Sequence, residues 1–237
     1  MRSPVPQVAS IRDFYTFEQH VMTCRRQRGL AMVEGWYQVP VFYFSNPAGV
    51  VQNDQEVWAP RGSFELDFEL ELACVIGQEA RDLPADDRAL EAVLGFTIMN
   101  DWSARDLQRL EMSVGLGPSK GKDFATSLGP EVVGMDELAG CYRDGRLHLE
   151  MTATRNGQQL SRGNSGSMHW TWPQLLAHAS RDATLRPGDI IGSGTVGTGC
   201  ILELTPQAAG GWLEPGDVIE LSIERLGTLR NRVVAHP

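Results

Sequence analysis

The sequence predicts one β-rich domain of mixed α+β class, closer to a distorted roll or barrel than to a Rossmann sheet. Three observations carry that expectation. Short apolar runs broken by Gly and Pro turns dominate the chain beyond about residue 131. Helical spacing is confined to a few short stretches. No internal repeat, low-complexity segment or linker divides residues 1–237, which suit one large domain with an N-terminal arm over about 1–50.

Taken in order, residues 11–28 place Phe14, Phe17, Val21 and Cys24 at helix spacing. The aromatic and β-branched stretch WYQVPVFYFSNPAGVV is broken by Pro40, Pro47 and Gly49 and reads as short strands and turns. Residues 65–76, ELDFELELACVI, alternate and then turn fully apolar, the clearest strand signal in the chain. A short helix fits Asp86 to Val93, and GFTIMND reads as a strand. SARDLQRLEM follows as a helix with Ser103 as its cap. LHLEMTATRNGQQLSR forms a hairpin turning on Asn156-Gly157. Pro173 starts a helix over WPQLLAHASR. RPGDIIGSG, CILELT, GDVIELSIER and LRNRVVA complete the set as strands.

Composition narrows the function. A formal net charge of -9 with scattered basic residues argues against nucleic acid as a partner. No apolar run approaches a membrane span, and the N-terminus lacks the apolar stretch of a secretory signal, so the cytoplasm is the expected location. Cys24, Cys74, Cys141 and Cys200 lie too far apart for a zinc knuckle and read as reduced core thiols.

Two glycine motifs are decoys. Gly192, Gly194 and Gly197 satisfy G-x-G-x-x-G, but CILELT, which follows them, reads as another strand and offers no helix N-terminus. KGKD at 120–123 lacks the earlier glycine and the Ser or Thr of a phosphate loop.

The acidic strand carries the chemistry. Glu65, Asp67, Glu69 and Glu71 alternate with Leu66, Phe68, Leu70 and Leu72, so a strand puts all four carboxylates on one face. Two readings fit such a row: a solvated face paired to arginines, or an oxygen-rich cation site. The solvated reading suits Glu65 and Asp67. Glu69 and Glu71 run into LACVIG, where solvent exposure is less natural. Without His or Cys ligands, such a site suits Mg²⁺, Ca²⁺ or Mn²⁺ rather than zinc.

FTIMNDWSARDLQRLEMSVGLGPSKGKDFATSLGPEVV resembles the signature of the fumarylacetoacetate hydrolase family. DFELELACVIG, GDIIGSGT, CILE and IERLGTLRNRVV match further family segments, so the resemblance covers nearly the whole chain. It implies a β-rich roll with a few peripheral helices, a homodimer, and a small oxo-acid substrate from aromatic catabolism. It also implies metal ligands at Asp13, Glu69, Glu71 and Asp101, with Mg²⁺ as the expected cofactor. By the same likeness His20 is the catalytic base, and Glu203 is the carboxylate that orients it. Lys122 and Arg105 stabilise developing charge, and Tyr15, Tyr43, Gln108 and Thr195 contact substrate. The chain departs from the pattern at Met112, which follows Glu111 where a tyrosine is expected, and at Arg28, one position from a substrate-binding arginine.

The implied reaction is cleavage of a carbon–carbon bond in a 2,4-dioxo acid, fumarylacetoacetate- or acylpyruvate-like. A His–Glu pair activates water, and a cation acts as Lewis acid toward the departing enolate. A second expectation uses the same metal for decarboxylation, isomerisation or hydration of a 2-oxo acid. A third is a non-catalytic cation- or ligand-binding module.

Overall fold

In the computed structural model, which describes residues 1–236, two sheets account for most of the regular structure. The larger has nine strands. Its main path runs Arg2–Ser3, Val132–Val133, Val93–Asp101, Leu70–Ile76, Ile190–Thr195, Ile11–Phe14 and Phe42–Ser45. Thr126–Leu128 pairs with both Val93–Asp101 and Val50–Val51. The smaller sheet runs Gln158–Asn164, Glu150–Arg155, Val218–Ile223, Gly227–Val233 and Glu56–Val57. Neither sheet closes on itself, so the architecture is a sheet-rich roll and not a barrel.

Period-two alternation explains how the sheets pack. Leu70, Leu72, Cys74 and Ile76 point into one large core with Phe96 and Ile98 of the neighbouring strand. That core is closed by Met151, Ala153, Ile219, Leu221 and Leu229 of the smaller sheet, and by Trp172, Leu175 and Leu176 of the Trp172–Ser180 helix. Ala73, Val75, Met99, Ile11 and Ile190 occupy the opposite face in a second, smaller core. The acids share that second face.

Most predicted elements stand. The Asn156-Gly157 hairpin forms with both turn residues at positive φ, 55° and 79°, as a tight two-residue turn requires. The Trp172–Ser180 helix carries a capping box, with Thr171 accepting from the Gln174 N–H. Four differences matter. Residues 11–28 split into the strand Ile11–Phe14 and the helix Glu18–Gln27. Phe14 therefore packs from a strand, and Ile11–Phe14 pairs in parallel with Ile190–Thr195. The acidic strand is interrupted at Phe68–Glu69, giving Leu66–Asp67 and Leu70–Ile76. Ser103 is not a helix cap: Ala104 holds that position, and the Ser103 hydroxyl donates to the Asp101 carbonyl. CILELT is not a strand, because Ile201–Leu204 forms one helical turn. Cys24, Cys74 and Cys200 are buried, Cys141 is half-buried, and all four are free. Among the described residues no helix is long and apolar enough to cross a membrane.

Candidate active site

The face shared with the second core ends in carboxylates on adjacent strands. Asp13 lies two residues beyond Ile11, Glu71 two before Ala73, and Asp101 two beyond Met99, so each falls on the face its apolar partner fixes. Cross-strand register aligns them: Glu71 faces Met99, Gly192 faces both Asp13 and Ala73, and Thr126 faces Asp101. The result is a group of oxygen atoms from Asp13, Glu71 and Asp101 lying within 4.8 Å of one another, all buried.

Glycines make room for this group. A Cβ at Gly192 would collide with Asp13 Oδ1 and Met99 Cε. Gly194 has φ +79°, and its N–H donates to Asp13 Oδ1 at 3.2 Å. The G-x-G segment is thus the wall of the acidic cluster and not a phosphate loop. The short helix after it offers no anion site either, since Asp67 already accepts from the Ile201 and Leu202 N–H groups at 2.8 and 3.0 Å.

Two buried cations meet the acids. Lys122 Nζ donates to Asp101 Oδ2 at 2.5 Å and to Glu69 Oε2 at 2.7 Å. Arg105 spreads its guanidinium over Asp67 Oδ2 (2.9 Å from Nε), Glu69 Oε1 (2.7 Å from Nη2) and Gln108 Oε1 (3.0 Å from Nη1). Lys120, by contrast, is exposed and pairs with Asp123. Tyr43 donates to Asp101 Oδ2 at 2.6 Å, and Thr195 donates to Glu71 Oε1 at 3.2 Å.

The electrostatics leave a deficit of positive charge. Asp13, Asp67, Glu69, Glu71 and Asp101 are buried carboxylates, and their direct ion-pair partners among the described residues are two buried cations, Lys122 and Arg105, with the charge of His20 acting on Glu69 from further off. Burial, and then the charge of Asp101, raises Asp13 well above the usual carboxylate range. Burial raises Glu71 likewise, reinforced by Asp13 and Glu69. Burial also raises Asp101, although Lys122 opposes it. Glu69 goes the other way: burial acts to raise it, but Lys122 and Arg105 hold it below its ordinary value. Glu71 Oε2 and Asp101 Oδ1 are buried without a hydrogen-bond partner, a costly condition in a folded protein. A hard divalent cation answers both the charge deficit and the orphaned oxygens. The residues present therefore fit a cation of the Mg²⁺, Mn²⁺ or Ca²⁺ type.

A histidine dyad flanks the acids. His20 sits in the first turn of the Glu18–Gln27 helix, and its Nδ1 lies 2.5 Å from Glu203 Oε1. Glu203 Oε2 accepts from the Thr198 N–H at 3.0 Å, which fixes the carboxylate from the other side. Burial acts against the charged imidazolium, but hydrogen bonds to Cys200 and Glu203 prevail and push the His20 pKa up to about 10. The Tyr15 ring stands edge-on to His20, 5.4 Å between centroids.

Residues 9–234 match the family model described as the fumarylacetoacetate (FAA) hydrolase C-terminal region. The chain belongs to the fumarylacetoacetate hydrolase family. Among curated relatives, the fumarylacetoacetase of Arabidopsis thaliana is 31% identical, over 92% of this chain and 66% of its own length. The 2,4-didehydro-3-deoxy-L-rhamnonate hydrolase of a Sphingomonas strain is 35% identical, over 82% of this chain and 65% of its own length. The chain thus spans just under two thirds of either relative. Among solved structures, the 5-carboxymethyl-2-hydroxymuconate delta-isomerase of Mycobacterium smegmatis superposes with a TM-score of 0.75 at 27% identity, over 99% of this chain and 82% of that one. The family therefore contains both hydrolases and isomerases.

Against the family pattern, the structure gathers Asp13, Glu71 and Asp101, and separately His20 with Glu203. Glu69 lies beside them with its carboxylate engaged by Arg105 and Lys122. Asp67 is the main correction: it is fully buried, and its arginine partner comes from the Arg105–Ser113 helix. Glu65 does pair with an arginine, Arg109, through two 2.9 Å bonds. Arg28 is exposed and donates to the Cys24 carbonyl. Glu111 was not singled out by its sequence position, yet its carboxylate accepts from the Ser119, Lys120 and Gly121 N–H groups and so shapes the loop that delivers Lys122. An acid on a helix followed by a Gly-rich loop is the only sequence signal it leaves.

Proposed function

We propose that this chain hydrolyses a carbon–carbon bond in a 2,4-dioxo acid, fumarylacetoacetate- or acylpyruvate-like, using Mg²⁺ or a similar cation. The carrying observation is the buried His20–Glu203 dyad, close enough for the charge of His20 to act on Glu69, a water-activating pair that enolate chemistry alone does not need. The Arabidopsis and Sphingomonas relatives, both named as hydrolases, support the same reading.

Asp13, Glu71 and Asp101 would hold the cation, with Glu69 joining them from its pairs with Lys122 and Arg105. When bound, the cation supplies Lewis-acid polarisation of the substrate's oxygens, and its charge disfavours the nearby imidazolium. His20, once neutral, takes a proton from the attacking water, while Glu203 fixes its tautomer and stabilises the charge it acquires. Lys122 stays cationic, because Asp101 and Glu69 outweigh the effect of burial and hold it above the usual lysine range. Its ammonium stabilises the enolate charge as the carbon–carbon bond breaks. Arg105 acts by holding Glu69 and Gln108 in place, and Tyr15, Tyr43 and Thr195, which touch His20, Asp101 and Glu71, would contact substrate.

His20→Ala should lower kcat/KM for acylpyruvate hydrolysis by about 10²–10⁴-fold while cation binding survives. Retention of full hydrolysis would remove His20 from the mechanism. The second reading is isomerisation or decarboxylation of a 2-oxo acid, favoured by the likeness to the Mycobacterium delta-isomerase over 99% of this chain. It predicts that His20→Ala leaves turnover of such a substrate largely intact.

A further inference from the structure

A second group of metal-ligating side chains shares no residue with the Asp13, Glu71 and Asp101 group. His20, Cys24 and Cys200 each present a donor atom within 4.8 Å of the others, and all three are buried. His20 and Cys24 stand four residues apart on the Glu18–Gln27 helix and so share one face. Cys200 arrives from the other direction, as the residue that caps the Ile201–Leu204 turn. The proposed reaction uses His20 but neither thiol.

The spacing of His20 and Cys24 is that of a soft-cation site. Bonds of about 2.3 Å to sulfur and about 2.0–2.1 Å to nitrogen, at tetrahedral angles, hold two ligand atoms roughly 3.5–3.8 Å apart. Both ring nitrogens of His20 lie 3.8 Å from Cys24 Sγ. The outer shell is also built. Nδ1 is bonded to Glu203, which orients the ring and leaves Nε2 as the donor, as in carboxylate–histidine–metal arrangements. Imidazole and thiolate select Zn²⁺ where the carboxylate cluster selects harder ions.

We propose that His20 Nε2, Cys24 Sγ and Cys200 Sγ bind a thiophilic divalent cation such as Zn²⁺, sharing no ligand with the Asp13, Glu71 and Asp101 group, and that filling this site silences the dyad. On binding, each thiol releases its proton to solvent, and so does His20 Nε2 wherever it carries one. The imidazole lone pair is then committed to the cation and cannot accept a proton from water. The silencing rests on the proposed function, whereas the binding does not.

The test adds Co²⁺, as a coloured stand-in for Zn²⁺, to the reduced full chain in excess Mg²⁺. The expected result is a thiolate-to-cobalt charge-transfer band that saturates and is bleached by Zn²⁺. The band should vanish in Cys24→Ala and in Cys200→Ser, and persist in Asp13→Asn. No band in the wild-type protein, or an undiminished band in a folded cysteine variant, overturns the site. Because the wild-type spectrum decides the first point, a variant that fails to fold does not shelter the proposal. Zn²⁺ should also inhibit wild-type hydrolysis at concentrations that spare Cys24→Ala; equal inhibition overturns the silencing and leaves the binding to the spectra.

Discussion

Lys122 and the oxygens around it set the terms at the scale of single residues. Its ammonium satisfies Glu69 Oε2 and Asp101 Oδ2, yet Asp101 Oδ1 and Glu71 Oε2 keep no partner. His20 shows the opposite condition, a charged pair whose partners are all present. Its pKa in the folded chain stands at about 10 against an ordinary 6.5. A raised pKa means the folded state binds the proton more tightly than the unfolded chain does. The pair's contribution to stability is therefore complete below pH 6.5 and is lost as pH rises toward about 10. Denaturation of the cation-free protein should show the gap between wild type and Glu203→Gln widest below that window and narrowing across it. A gap independent of pH would contradict the ion pair.

At the scale of elements, the decisive features are the places where a strand stops. The break at Phe68–Glu69 lets Asp67 turn inward, cap the Ile201–Leu204 turn that carries Glu203, and pair with Arg105. Asp67→Asn removes one charge of a buried pair and should cost about 3–5 kcal/mol, read by denaturant midpoint. A solvated Asp67 would change stability by only about 0.5 kcal/mol. Gly194 sits where Ile190–Thr195 shifts register against Leu70–Ile76, at φ +79° and against the Phe14 carbonyl. Gly194→Ala should cost about 1–3 kcal/mol and weaken cation binding through Asp13.

Those same elements show what the sequence could and could not reveal. Alternation exposed the acidic row, because period two projects directly onto a face, and the hairpin was legible from Asn156-Gly157 alone. The fate of each acid was not legible. Asp67 and Glu69 find their cations on the Arg105–Ser113 helix and on the loop after it, contacts with no trace in local spacing. Ile201–Leu204 is too short for a helical period to emerge, and Ile11–Phe14 was hidden by apolar residues whose spacing also fits the helix that follows. The positions of His20 and Glu203 came from family resemblance, since 183 residues separate the two partners.

At the scale of the whole molecule, the two sheets bury a large apolar core between them and leave the opposite face of the larger sheet with a smaller one. The carboxylates collect where that smaller core ends, so the scaffold holds them at fixed register on neighbouring strands while the flanking helix, turn and loop bring His20, Glu203 and Lys122. An apolar framework stabilises the fold, and the buried carboxylates fit a divalent cation. Stripping cations should accordingly abolish turnover and lower the melting temperature, and adding Mg²⁺ or Mn²⁺ should restore both. The most direct measurement is product analysis of the cation-loaded chain with an acylpyruvate. Pyruvate and the free acyl acid should form in equal amounts, and both should be lost with chelator and in Asp101→Asn. Intact acylpyruvate after prolonged incubation with a chain shown to hold the cation would rule out carbon–carbon hydrolysis.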